Sequence, residues 1–321
     1  MNLTIVYHLN NYSNSLDKSF EGLMNQNNKN FEIIIIADGT SKTVQKFFID
    51  IDLNKHFKSV KYIKISQKLG HGYSNNLALK YVKTPYVFFT NACFVYSKTF
   101  TDDIIKTIDN ENADIFVFNT SNSENNKRLD KNSCSFNIQK TYSLLLDNTN
   151  NKIISTKFIK DNNIQFTNFN HYTFLDTIKL FKRAEKIKKI NCKIIKVYSN
   201  DNLTYNIYDI IDQNNLILGK EHIEFYKKNI DDINYMMIRN ALFVFLLRIA
   251  IQEKWKFNRV FRNAYDYAVE WIKTYIPNWK ENKILNSPNN LDDKQVINYL
   301  KQFPKASVVA LYKLRKMSKA K

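Results

Sequence analysis

The first hundred residues alternate short apolar runs with polar stretches of helical length. Leu3 to Leu9, Phe31 to Ala37, Val60 to Ile65 and Pro85 to Thr90 are rich in β-branched and aromatic side chains. This marks them as strands, the second of which ends at Asp38. Helical stretches separate them, one ending in Leu23 to Asn27 and another within Gly70 to Leu79. The run Ile33 to Ile36 is too short for a membrane span and suits a strand covered on both faces, as in a parallel sheet. This alternation predicts an α/β fold, a mostly parallel sheet with flanking helices, its strands joined by right-handed crossovers.

The second strand runs into Asp38 and Gly39. In open α/β sheets ligands bind at the carboxyl ends of strands, so a carboxylate beside a glycine there suits a nucleotide, although the same pair also makes an ordinary tight turn. Of only 5 glycines in 321 residues, three (Gly39, Gly70 and Gly72) lie in the loops assigned to this ligand. Glycine lets backbone pass close to a bound group.

The order LTIVYHLNNY (Leu3 to Tyr12), LMNQN, FEIIIIADGTS (Phe31 to Ser41), GHGYSNNLAL (Gly70 to Leu79) and YVFFTNACF (Tyr86 to Phe94) resembles the family 2 glycosyltransferases. These are inverting enzymes of the GT-A fold. Their pattern is a strand ending near Tyr-Asn, then Asn-Gln, a strand ending Asp-Asp-Gly-Ser, Asn-x-Gly, a helical Ala-Arg-Asn and a strand ending in Asp-x-Asp. Asn11, Gln26, Asp38, Gly39, Gly70 and Asn76 fall on matching positions, and the resemblance covers roughly residues 1 to 205. It implies a UDP-type nucleotide-diphospho-sugar donor and a glycan or lipid acceptor. It also implies work at the cytoplasmic membrane face of a bacterium that builds surface glycans or glycolipids.

Both acidic motifs of that family are replaced. The metal-binding Asp-x-Asp falls on Asn91, Ala92 and Cys93, and an amide with a thiol suits hard cations such as Mg or Mn poorly. No metal site is expected there. The catalytic base normally lies in a Glu-Asp pair before a helix, and counting back from Ala184 to Ile190 puts that pair on Tyr172 and Thr173. Neither is a base at neutral pH. Two replacements stand nearby. Asp176 lies about one helical turn beyond Thr173, although an acid in a first helical turn also serves the dipole. His171 titrates in the right range and also fits an ordinary surface position.

An inverting transfer needs the leaving diphosphate stabilised and the acceptor hydroxyl deprotonated as it attacks. The resemblance implies that Asp38 accepts a hydrogen bond from the donor's base, with Asn11 bordering the pocket and Gly39, Asn76 and Asn91 around it. Gly70 and Gly72 bring the chain close, and His71 between them donates to a phosphate. Lys68, where the family prefers Asn, offsets part of a missing cation.

Composition changes the picture little. Lys and Arg number 48 against 30 Asp and Glu, a net charge of +18 that suits phosphorylated substrates or an anionic membrane. Part of that excess goes with the abundant Lys, Asn, Ile, Phe and Tyr, all encoded by AT-rich codons. No helix-turn-helix, zinc-finger or RNP-like motif is visible, so nucleic acid is not an expected partner. Cys93, Cys134 and Cys192 are widely spaced, implying neither a disulfide framework nor a zinc site. No leader segment is read at the start, and the longest apolar run, Ala241 to Leu247, is too short to cross a membrane.

Three regions are expected: a GT-A domain at 1–220, a helical region at 221–303 and a basic tail at 304–321. Thr120 to Asn137 reads as an exposed loop. Phe257, Val260, Phe261, Ala264, Ala268, Trp271 and Tyr275 form a helical apolar stripe ending before Pro277, read as core packing. The tail carries Lys305, Lys313, Arg315, Lys316, Lys319 and Lys321 and no acid, with Val308, Val309, Leu311, Tyr312 and Leu314 interleaved, which suits peripheral contact with the inner face of the cell membrane. The expected protein is a nucleotide-sugar glycosyltransferase. The alternative, which the lost acidic motifs support, is a catalytically degenerate GT-A domain that binds a partner or ligand.

Overall fold

The computed structural model describes residues 1–9, 16–40, 48, 51–118, 151–169, 174–190, 192, 194–197, 207–287 and 294–319. Described residues up to 197 belong to one compact unit and those from 207 onward to a second.

The first unit is built on a seven-stranded sheet. Its strands are β1 (Leu3–Leu9), β2 (Glu32–Asp38), β3 (Val60–Ile65), β4 (Tyr86–Asn91), β6 (Ile115–Val117), β7 (Lys152–Ser155) and β8 (Ile187–Lys189), while β5 (Phe94–Tyr96) pairs apart with β9 (Ile194–Val197). Across the sheet the order is β3-β2-β1-β4-β7-β6-β8. β1 to β4 run parallel, as expected from the strand and helix rhythm, and β7 is antiparallel to both its neighbours. The four expected strands are found at or within one residue of their expected bounds.

Strand alternation sorts the side chains into two faces. Leu3, Ile5, Tyr7 and Leu9 of β1, Ile33, Ile35 and Ala37 of β2, and Phe88 of β4 join one core with Phe20, Phe31 and Phe100. Tyr7 also donates to Ser19 Oγ (3.0 Å), which satisfies the one polar atom that ring carries into the core. Thr4, Val6, His8, Ile34, Ile36, Asp38, Phe89 and Asn91 therefore belong to the other face.

The second unit is helical. Ile230–Gln252 is one 23-residue helix, long and apolar enough to cross a membrane by length and composition, with 72% of its apolar window buried inside the protein. It is thus longer than the run Ala241 to Leu247 suggested, because it continues through Arg239 and Arg248; Asn240–Phe245 within it takes π-helical geometry. The helix Arg259–Tyr275 begins at Asn258, whose side chain accepts from the Phe261 amide. Its buried face is Phe261, Ala264, Tyr265, Ala268, Trp271 and Ile272, whereas Phe257, Val260 and Tyr275 of the expected stripe are exposed.

The basic tail is folded into the second unit. It forms a helix, Ser307–Lys319, that packs on Leu246–Gln252 and Arg259–Tyr275 through buried Ala310, Leu311 and Leu314. Leu311 and Leu314, read as part of a membrane-facing set, are core residues of this unit. Val308, Val309 and Tyr312 remain exposed, Tyr312 at 67%.

Candidate functional site

β1 lies between β2 and β4, so the order of the sheet reverses there, and the carboxyl ends of these strands frame the crevice where α/β sheets hold ligands. His8 stands in register with Ile36 on one side and Asn91 on the other; Asp38 lies two residues beyond Ile36, opposite Ile65. All share one face, covered by the helix His71–Leu79, whose Asn75 Oδ1 lies 2.7 Å from His8 Nε2.

Asp38 closes the edge of this crevice. Its Oδ1 accepts from the Leu69 amide (2.7 Å) and its Oδ2 from the Gly70 amide (2.8 Å), so one carboxylate holds two consecutive peptide groups. The turn beside it demands glycine twice over. Gly39 has φ +60°, and a Cβ there would sit 2.6 Å from the Lys68 nitrogen. The Gly39 amide meanwhile donates to the Ile65 carbonyl (3.1 Å), continuing the β2–β3 ladder. Gly70, φ +94°, then caps the helix His71–Leu79. The result is a rigid Asp38–Gly39 and Lys68–Gly70 pairing, with the exposed Lys68 at its rim. Each carboxylate oxygen keeps a second lone pair with which to accept from a ligand.

His8 and His71 meet edge to face, ring centroids 4.7 Å apart. Burial is the main cause that brings His8 down to about 4 from its usual 6.5, so at neutral pH it is uncharged. An amide oxygen only accepts, so the proton of the neutral ring sits on Nε2 and points at Asn75. His71 is half-exposed at the first position of its helix, where a helix dipole favours anions.

The far side of that helix is locked to the segment 164–169. Asn76 Nδ2 donates to the Phe166 carbonyl and Asn76 Oδ1 accepts from the Phe166 amide, both at 2.9 Å. A Cβ on Gly72 would lie 1.9 Å from the Thr167 carbonyl oxygen. Both residues were expected beside the donor. Asn76 instead mimics a strand neighbour for Phe166, and Gly72 lets two backbones touch. Phe166 in turn packs on Phe89 of β4, centroids 5.1 Å apart.

Asp176, read as a candidate base, anchors the same segment. Its Oδ1 accepts from the Thr167 amide (2.7 Å) and hydroxyl (2.6 Å), and Lys179 Nζ donates to that hydroxyl (2.9 Å). The carboxyl is buried, which pushes it up to about 6. Gln26, on the family's Asn-Gln position, is likewise consumed by structure: its amide donates to the Gly22 and Ser97 carbonyls, and its oxygen accepts from the Thr101 amide and hydroxyl.

Asn91 ends β4 with its Oδ1 accepting from the Cys93 amide (2.9 Å), a local turn that leaves no carboxylate where a hard cation would need one. Among the described residues no three His, Cys, Asp or Glu side chains gather closely enough to hold a metal ion. The Asn91 amide and Cys93 thiol are a poor donor set for Mg or Mn. Asn11, His171, Tyr172 and Thr173 lie outside the described residues, as do Cys134 and Thr120 to Asn137. Of the expected site residues, the structure brings Asp38, Gly39, Lys68 and Gly70 together, and His71 meets His8. Sequence reasoning missed His8 and Asn75. The available signal was His8 itself, a titratable side chain near the end of an otherwise apolar strand.

Residues 4–184, more than half of the chain, match the model of the glycosyl transferase family 2. The chain belongs to that family, and its sheet is that of a GT-A domain. S. aureus TarS, residues 1-349, superposes on 100% of this chain and 92% of its own with a TM-score of 0.60 at 16% identity. The Pyrobaculum calidifontis mannosyltransferase PcManGT, in complex with GDP-Man and Mn2+, covers 98% of this chain and 86% of its own, with a TM-score of 0.52 at 9% identity. The teichoic acid poly(glycerol phosphate) polymerase of Staphylococcus epidermidis is 29% identical over 90 residues, 28% of this chain and 12% of the polymerase. This chain thus matches a small part of that longer protein.

Proposed function

We propose that this protein is an inverting glycosyltransferase that binds a UDP-type nucleotide-diphospho-sugar at the ends of β1, β2 and β4 and transfers the sugar to a glycan or lipid acceptor. The observation that carries this reading is the Asp38 carboxylate at the switch point, fixed on Leu69 and Gly70 with lone pairs to spare. S. aureus TarS, solved in complex with UDP-GlcNAc and with UDP, supports the UDP type. In the reaction the acceptor oxygen attacks the anomeric carbon from the face opposite the diphosphate, the bond from that carbon to the phosphate oxygen breaks, and the hydroxyl proton is taken up. Negative charge on the leaving diphosphate falls to Lys68, His71 and the N-terminus of the helix His71–Leu79. The proton is taken up by His171 or by Asp176, the latter through the Thr167 hydroxyl that donates to it.

Attachment to the inner membrane leaflet belongs to the same proposal. The outward face of Ser307–Lys319 carries Val308, Val309, Tyr312, Arg315 and Lys316, an apolar and basic surface suited to anionic lipid.

One observation favours a second reading. Asn91 is closed on the Cys93 amide in place of an acidic motif, which suits a domain that binds ligand without turnover. Calorimetric titration with UDP and GDP, with and without chelator, combined with an assay for sugar released from UDP-GlcNAc and UDP-glucose, separates the two. UDP binding that survives chelator, with sugar release, supports the transferase. Binding with no release from any donor supports the degenerate domain, and failure to bind any nucleotide diphosphate ends both readings. In the N91D/C93D variant, two restored carboxylates are expected to make UDP affinity rise on adding Mn.

A further inference from the structure

The second unit holds a cleft of about 280 Å³ with aromatic walls and a rim of lysines. Trp279 and Phe303 stand edge to face with centroids 6.1 Å apart, and Phe303 stacks on Tyr265 at 5.7 Å. Lys273, Lys280 and Lys305 are in its lining, and among the described residues no acidic side chain is. Lys280 leans over the Trp279 ring, while Lys273 and Lys305 meet no carboxylate among the described residues. Trp279 also walls a second cleft of about 350 Å³, lined by Asn234 and Asn282, by Tyr226 and Tyr275, and by the acidic Glu281 and Asp231, the latter paired with Lys283 at 3.3 Å.

Trp279 is held firmly for such a role. It opens a 3-10 turn, Trp279–Glu281, whose amides bond back to Ile276 and Asn278. Asn282, at its end, donates to the Asp231 carbonyl (2.8 Å) and accepts from the Leu285 amide (2.9 Å). A fixed ring shared by two concavities, with amides, phenols and the carboxylates of Asp231 and Glu281 on one side to take hydroxyls and three lysines on the other, matches neutral sugar rings on the first side and a negatively charged group on the second. Sugars lay their apolar C–H faces on aromatic rings and spend their hydroxyls on planar polar groups, and lysine is a compact partner for phosphate.

We infer that these joined clefts around Trp279 are a binding site for a phosphate-bearing glycan. The site lies wholly within the second unit. If the transferase reading holds, this glycan is the acceptor; that one assignment rests on the proposed function, while binding itself does not.

The test is calorimetric titration of the full chain at 0.1 M salt with phosphorylated mannopentaose, unphosphorylated mannopentaose and inorganic phosphate. The phosphorylated glycan is expected to bind at least about tenfold more tightly than either other probe. W279A and the triple variant K273Q/K280Q/K305Q are each expected to weaken it by about tenfold or more, with thermal midpoint and UDP affinity unchanged. Two results would overturn the inference. One is equal affinity for polyglutamate with no effect of W279A, which reduces the cleft to a basic surface. The other is phosphoglycan binding lost in an Asp38 variant but kept in W279A, which moves the ligand to the donor crevice. Because no donor is present, a failure of the transferase reading leaves these outcomes intact. W279F, which retains a ring, guards against a folding defect in W279A.

Discussion

Asp38 and Gly70 are joined by a 2.8 Å hydrogen bond from the glycine amide to carboxylate Oδ2, while Oδ1 takes the preceding amide of Leu69. The carboxylate proposed to meet the nucleotide therefore also holds the backbone turn beside it. Substitution D38N turns one acceptor into an N–H₂ group facing an amide N–H. It is expected to cost about 1–3 kcal/mol in urea unfolding and to weaken UDP binding by about tenfold. Unchanged stability with lost UDP affinity would mean that Asp38 meets only the ligand.

Gly72 is expected to tolerate no side chain. The Cβ of G72A would come within 1.9 Å of the Thr167 carbonyl oxygen, a backbone atom that cannot swing aside. Forced overpacking of this kind costs about 1–3 kcal/mol or more. The urea midpoint of G72A should fall accordingly, and N76A, which breaks the adjoining bonds to Phe166, should fall with it by a smaller amount. A G72A midpoint equal to that of the parent would show that the helix His71–Leu79 does not rest on the segment 164–169.

Stability should respond to pH through two buried groups of opposite sign. The Asp176 carboxyl, pushed up to about 6 chiefly by burial, binds its proton more tightly in the folded chain than at its usual 3.8. Its contribution is complete below about 3.8 and is lost as pH rises through 6. His8, brought down to about 4 chiefly by burial, behaves in reverse: its contribution is complete above 6.5 and is lost as pH falls through 4. Each is worth on the order of 3 kcal/mol across its window. Urea midpoints from pH 4 to 8 should show D176N lacking the decline between 4 and 6, and H8Q lacking the loss on the acid side. Profiles identical to the parent in both variants would show that neither group is buried as described.

Membrane contact is better tested by substitution than by truncation. Deleting the chain after Phe303 would remove buried Ala310, Leu311 and Leu314 and unsettle the second unit. V308S/V309S/Y312S and R315Q/K316Q change only outward positions. Each should reduce cosedimentation with phosphatidylglycerol vesicles. Raising salt from 0.1 to 1 M, which shortens the Debye length from about 10 to about 3 Å, should release the parent. Equal pelleting of parent and variants would remove this face from the reading.

The sheet was legible in the sequence because strand periodicity is local: Leu3 to Leu9 and Ile33 to Ile36 declare strands, and the helical spacing between them requires parallel crossovers. Asp38, Gly39 and Gly70 were legible for the same reason, since a turn at a strand end needs particular residues whatever surrounds it. Contacts between distant segments were not. Asn76 reads equally well as a ligand group or as a clamp, and only packing against Phe166, 90 residues away, decides for the clamp. Asp176 reads as a candidate base, and only the fold shows that the Thr167 amide and hydroxyl both reach its carboxylate. His8 looks like an isolated polar residue until β4 and the helix His71–Leu79 supply Asn91, Asn75 and His71 as neighbours. The tail reads as a basic segment with apolar residues for membrane contact, yet the apolar surfaces of Leu246–Gln252 and Arg259–Tyr275 draw Leu311 and Leu314 inward. Backbone preference along a few residues is written in those residues, whereas the use of a side chain depends on which surface reaches it, and the tertiary structure alone brings that surface there.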